Sequence, residues 1–300
     1  MERAKAHLTR LRGLAPGLFG NFDVSLVARH SATLWKFRGY DAVPHSVSET
    51  WRQIRQEFGA DGLSQFNRAL LCELIATADD RLANEDLPEC ILQEYADAFS
   101  RVLDKLEIAS NTYDVTNEET FLKDLGVCSQ TMIPAGYIVM DIANGMVREL
   151  LYSGGLRQFF RFFHLYVLRY RRKGPFLFTH YHGDHRELFN PEGRVKTFWT
   201  IAQLMKRRTE FKAVVGTSWY LDPAVSTISP HLAYIRTLPG QNGAVFFRNR
   251  PKVHYGALAS RTRRRLYEEG KYTPCPYTMV WPREMIIAWA DRTTLSIPAR

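Results

Sequence analysis

The chain has 300 residues, 45% of them hydrophobic and 24% charged, with a formal net charge of +9. That length covers two domains or one large one, and the composition excludes an intrinsically disordered chain. The positive excess points to an anionic partner: a phosphorylated or carboxylate-bearing small molecule, a nucleic acid or an acidic membrane surface.

No uninterrupted apolar run reaches the roughly 20 residues of a membrane-spanning helix. The start, Met1-Glu-Arg-Ala-Lys-Ala-His, lacks the apolar core of a secretory signal, so the expected location is cytoplasmic. Cys72, Cys90, Cys128 and Cys275 form no CxxC pair. They read as free, mostly buried thiols rather than as a zinc ribbon or a disulfide framework.

The first half reads as helix. Ser46–Phe58 and Ser64–Thr77 have helical spacing. Pro88–Ile108 is the clearest case: Pro88 suits a first turn, and Ile91, Leu92, Tyr95, Phe99, Val102 and Leu106 recur on one face. Thr116-Asn-Glu-Glu119 has the form of a capping box and predicts a helix through Phe121 and Leu125. Ile133–Leu151, apolar and containing Gly136 and Gly145, predicts a buried helix. Leu156–Lys173 combines six aromatic residues with Arg161, Arg169, Arg171 and Arg172. Its apolar positions nearly surround the helix, which predicts an internal one; the alternative is a helix lying on a membrane surface.

Beyond Gly174 the pattern alternates. Pro175–His180 and Phe211–Tyr220 read as strands flanking a helix at Thr197–Arg208. Pro230–Thr237 fits either state. Ala244–Arg248 reads as a strand, Ser260–Gly270 as a helix, and Tyr277–Trp281 and Met285–Trp289 as two strands around Pro282. The expected architecture is therefore α+β: a mainly helical domain over residues 1–173 and a mixed α/β sheet domain over residues 174–300 that carries the site.

Three histidines and an aspartate close the first strand of that second region: His180, His182, Asp184 and His185. Alternation at a strand end places His180 and His182 on one face, and a following turn returns Asp184 and His185 toward them. Such a set suits a divalent metal (zinc, iron or manganese) that would activate water or polarise a substrate. The alternative is a hydrogen-bonded histidine turn. The spacing resembles the His-x-His-x-Asp-His motif of the metallo-β-lactamase superfamily, over about a dozen residues. That resemblance implies a hydrolase-like reaction, with His180 and His182 on one zinc and Asp184 and His185 on a second. At the place of that family's later histidine, Leu238-Pro-Gly-Gln241-Asn-Gly carries glutamine, so His231 or His254 would have to substitute, and neither has the family's context.

Two further segments offer chemistry. Gly216-Thr-Ser-Trp219-Tyr-Leu-Asp222-Pro223 ends a strand, where α/β proteins commonly bind ligands. Trp219 is a stacking platform in that reading and Asp222 a proton acceptor; the bland alternative makes Asp222 a helix cap. Arg236 and Arg248 are candidate ligands for a carboxylate or phosphate, or else surface ion-pair residues. Arg264-Arg-Leu-Tyr267-Glu-Glu-Gly270, followed by Tyr277-Thr-Met-Val280, resembles the closing helix and strand of the GNAT acyltransferases. That resemblance implies an acyl-CoA substrate and Tyr267 as the acid that protonates the leaving thiolate. No clean pyrophosphate loop of that family follows Tyr220. Arg261, Arg263, Arg264 and Arg265 keep a third reading open, a non-catalytic protein that binds anions or nucleic acid, although no nucleic-acid-binding signature accompanies them.

Overall fold

A computed structural model describes residues 1–34, 43, 45–108, 119–183, 186–252 and 255–294. It is an α+β protein with a helical N-terminal region and a C-terminal mixed sheet. The chain divides into two compact units, Met1–Ile142 with Tyr181–Asp184, and Ala143–His180 with His185–Arg300; the expected division lay between residues 173 and 174.

Unit 1 runs through α1 (Glu2–Leu14), α2 (Pro16–Asn21), α3 (Val24–Leu34), α4 (His45–Ala76), α5 (Ala78–Leu82), α6 (Glu89–Ile108) and α7 (Glu119–Cys128). The two helices expected within residues 46–77 are the halves of α4, which breaks at Gly59, where φ is 69°. A left-handed residue without a Cβ is what that break requires. Along α6 the predicted face is the buried one, with Ile91, Tyr95, Val102 and Leu106 each at most 2% exposed. Thr116, the expected cap of α7, lies outside the described residues. Every residue of α7 from Phe121 to Cys128 is buried, Lys123 and Asp124 included.

The expected helix over Ile133–Leu151 is instead a hairpin, β1 (Ile133–Ala135) and β2 (Ile138–Ala143), followed by a short 3-10 turn. Ala135 pairs with Ile138, so the connection has only two residues. Gly136 takes φ 56° there and its N–H donates to the Glu94 carboxylate at 2.8 Å. Glycine at the first position of a two-residue loop is a hairpin signal, and it overrides the apolar run around it.

Unit 2 begins with α8 (Gly155–Phe162), which continues as a π-helix over Phe163–Arg169. It goes on through β3 (Phe176–Tyr181), α9 (Pro191–Arg207), β4 (Ala213–Ser218), α10 (Pro223–Ile228) and α11 (Tyr234–Gln241). β5 (Val245–Arg248), α12 (Arg261–Glu268), β6 (Tyr277–Pro282) and α13 (Arg283–Arg292) complete it. β3 and β4 are parallel, β4 and β6 antiparallel, and β5 adds to β6 antiparallel. One face of this sheet presents Val215, Val280 and Phe247 to Phe162, Leu165, Tyr166 and Tyr170. The other carries Trp281, whose ring lies 5.2 Å from Phe198 of α9 and 5.3 Å from Trp289 of α13.

Three local expectations change in this unit. α9 starts six residues ahead of Thr197, because Asn190 accepts from the Gly193 N–H at 2.7 Å and Pro191 fills the first turn. Met285–Trp289 is helical rather than a strand. Ile286, Trp289 and Ala290 are buried at helical spacing, a pattern that a five-residue window does not separate from a strand. The aromatic segment 156–173 is internal on one side only: Phe162 is fully buried, whereas Phe160 is 64% exposed. Its apolar residues surround the helix, but the sheet offers a single face to cover them. No described helix is long and apolar enough to cross a membrane.

Candidate functional site

His182 is 4% exposed, and its Nε2 lies 3.0 Å from Asp124 Oδ1. The other Asp124 oxygen accepts from Lys105 Nζ at 2.9 Å. Burial by itself would raise the Asp124 carboxyl, but the His182 hydrogen bond and the Lys105 ammonium hold it below its ordinary value. The same turn is fastened twice more. The His182 backbone N–H donates to Tyr137 O at 2.9 Å, and Lys123 Nζ donates to Tyr181 O. All these groups belong to unit 1. Helix α7 supplies Asp124, α6 supplies Lys105, and the arrangement anchors the turn that follows β3.

This bears on the metal expectation. The His182 nitrogen that faces Asp124 is already engaged. His180 stands half-buried in β3, and Asp184 and His185 lie outside the described residues. Among the described residues no three His, Cys, Asp or Glu side chains come together as a metal-holding group.

The second cluster sits at one end of the unit 2 sheet. Ser218 pairs with Tyr277, and Tyr277 with Arg248, so β4, β6 and β5 reach the same level. This is the carboxyl end of the parallel pair β3–β4. From Ser218 the chain turns through Trp219–Leu221 into Asp222, which caps α10 by accepting from Ala224 N–H at 3.0 Å. Its second oxygen faces the Cys275 N–H at 3.3 Å. The cap expected of Asp222-Pro223 is therefore present, and the same carboxylate also holds the segment that leads into β6.

Two guanidinium groups flank that carboxylate. Arg236, on α11, donates to Leu221 O and lies 4.0 Å from the Phe246 ring centre and 5.3 Å from that of Tyr277. Arg248, at the end of β5, donates from Nε to Cys275 Sγ at 3.3 Å. Its terminal nitrogens have no partner among the described residues. Asp222 is 6% exposed, and burial raises its carboxyl, opposed by the two backbone N–H donors and by Arg236 and Arg248. Burial also raises the Tyr277 phenol, and the Asp222 and Cys275 charges add to that. Tyr272, 5% exposed, has its phenol pushed up to about 12 by burial and then by Asp222. Its hydroxyl is buried and has no hydrogen-bond partner among the described residues.

Of the residues singled out in the sequence, Asp222, Arg236 and Arg248 thus come together. Trp219 joins the edge of the group, but its ring stacks on Tyr220 at 3.8 Å and lies 4.7 Å from the Arg263 guanidinium. At 9% exposure it packs with Val225, Ala257 and Tyr272. Tyr267 is 36% exposed on α12, and among the described residues its side chain makes no hydrogen bond to the cluster. Sequence reading missed Cys275, Tyr272 and Tyr277. Their one signal was the polar-aromatic run Tyr272-Thr-Pro-Cys275-Pro-Tyr277 just ahead of a strand.

Chemically the cluster offers two fixed cations, a buried carboxyl with raised proton affinity, and phenols that remain protonated at neutral pH. The guanidinium fork matches a carboxylate or a phosphate. Comparison with family models, curated proteins and solved structures gave no significant match for this chain.

Proposed function

We propose that unit 2 is an enzyme domain that takes an anionic small molecule at the carboxyl end of β4, held by Arg236 and Arg248, with Asp222 exchanging a proton. The observation that carries this is that Arg236 and Arg248 stand near enough to Asp222 to act on its charge, where β4 and β5 end and β6 begins. A buried carboxyl whose proton affinity is raised beside fixed cations suits proton exchange with a bound anion. The buried, unsatisfied Tyr272 hydroxyl supports the same reading, because such a group is stabilised by a ligand atom that completes its hydrogen bond.

Thermal melts of the full chain with inorganic phosphate, citrate and coenzyme A test this. Binding to the folded state must raise Tm with the logarithm of ligand excess, adding about 2.7 kcal/mol of stability at a hundred-fold excess over Kd. At least one probe should shift wild type, and Arg248→Gln should remove the shift while Arg265→Gln keeps it. A shift with coenzyme A alone would direct the search toward acyl transfer. Unmoved melts with all three probes, or a shift that survives Arg248→Gln, would refute the site.

A further inference from the structure

The helix Gly155–Phe162 and its π continuation Phe163–Arg169 turn an apolar line outward. Leu156 is 78% exposed, Phe160 64% and Leu168 58%. These residues fall at every fourth position, with exposed His164 between the last two. In an α-helix of 3.6 residues per turn such a line drifts steadily around the axis. The π segment, with its wider i→i+5 turn, drifts the opposite way. The change of helix type at Phe163 therefore keeps Leu168 in line with Leu156 and Phe160. Tyr152, 71% exposed, precedes the same helix. Monomeric proteins rarely leave such a contiguous apolar line in water.

The charge beside this line is of one sign. No Asp or Glu occurs between Glu149 and Asp184, a span that holds Arg157, Arg161, Arg169, Arg171, Arg172 and Lys173. Arg169 pairs with Glu284. The other five are exposed and have no ion-pair partner among the described residues. Exposed Arg3, by contrast, pairs with Asp104 and Glu107, and exposed Arg12 with Glu73. Arg171 and Arg172 also adopt φ of 52° and 57°, a left-handed turn where side chains other than Gly, Asn or Asp are disfavoured. That turn closes the segment with two adjacent cations at its C-terminal end.

We infer that this face docks on an anionic lipid bilayer, with Leu156, Phe160 and Leu168 in the acyl boundary and the arginines at the phosphate level. Aliphatic and aromatic side chains on one line with arginines alongside is the composition of an interfacial helix. A nucleic acid would satisfy the arginines and leave the apolar line in water. The inference is independent of the ligand site proposed above.

Co-sedimentation of the full chain with phosphatidylcholine vesicles, with and without phosphatidylserine, at physiological salt tests it. Wild type should bind the phosphatidylserine vesicles at least about ten-fold more tightly, as several cations near the surface require. Arg157→Gln with Arg161→Gln should weaken binding by about 25-fold, roughly five-fold per arginine. Leu156→Ser with Phe160→Ser should weaken it by about ten-fold or more while leaving Tm unchanged, since both side chains are exposed. Arg265→Gln, outside the segment, should bind as wild type does. Equal affinity for both vesicle types, or full binding after loss of both apolar side chains, would overturn the inference. So would tight binding to a mixed-sequence RNA that ignores the serine substitutions.

Discussion

Each unit buries an aspartate, and the two are treated in opposite ways. Asp124 has a histidine and a lysine within hydrogen-bonding distance, and its carboxyl is held below its ordinary value of 3.8. Among the described residues Asp222 receives only backbone N–H donors, its arginines stand further off, and its carboxyl is raised. A buried charge held by two cationic or polar side chains of the fold acts as a fastening. A buried carboxyl left short of direct cationic contact, beside guanidinium groups with spare donors, is what the proposed ligand site rests on. The difference separates the two clusters of polar residues by role, where composition alone would rank the histidine-rich one first.

Removing the fastening should give the largest effect. Asp124→Asn leaves Lys105 and His182 facing an amide inside unit 1, and breaking a buried pair typically costs about 3–5 kcal/mol. Urea denaturation should show a loss of that order, and Lys105→Met should show a comparable one. A change below about 1 kcal/mol for Asp124→Asn would mean that the network is not what secures the turn. Asp222→Ala should cost less, about 0.5–2 kcal/mol for a lost N-cap, because no side-chain cation loses a hydrogen bond with it.

The asymmetry explains what was legible in the sequence. Helical spacing showed α6; strand-end position singled out Asp222, with its cap on α10, and residue type alone singled out Arg236 and Arg248 as anion ligands. The partnership of Asp124 with His182 spans 58 residues and that with Lys105 spans 19. No local pattern encodes it, so His182 read as a metal ligand. Cys275 read as a bland thiol because nothing near it in sequence announces Arg248, 27 residues away. The hairpin at Gly136 and helix α13 failed for a different reason. Both are short apolar runs in which one glycine, or one turn of burial, decides between periods.

Acid provides a finer separation. The folded Asp124 carboxyl is lowered, so its contribution to stability is present above 3.8 and is lost as pH falls through the folded value. The deficit of Asp124→Asn relative to wild type should therefore be greatest at neutral pH and shrink on acidification. Urea midpoints of both proteins between pH 7 and pH 3, roughly the range in which an aspartate titrates, measure this. A deficit that does not change with pH would remove the carboxylate as its source.

Asp222→Asn should give the smallest change in stability, and one of opposite pH dependence. The folded Asp222 carboxyl is raised above 3.8, so its contribution is fully present below that value and is lost as pH rises through the folded one. Asparagine carries no charge to desolvate, and it can keep the bond from Ala224 N–H, since it caps helices about as well as aspartate. It gives up only the long contact with the Cys275 N–H. Against wild type the variant should gain ground from pH 4 to pH 7, while the net difference stays within about 1 kcal/mol, less than one partnered hydrogen bond to a charged group. An anionic probe should still bind, because Arg236 and Arg248 are untouched, and removing a neighbouring negative charge should tighten it. A variant that loses stability as pH rises, or that loses the probe, would show that Asp222 fastens unit 2 as Asp124 fastens unit 1, and the contrast between the two would be gone.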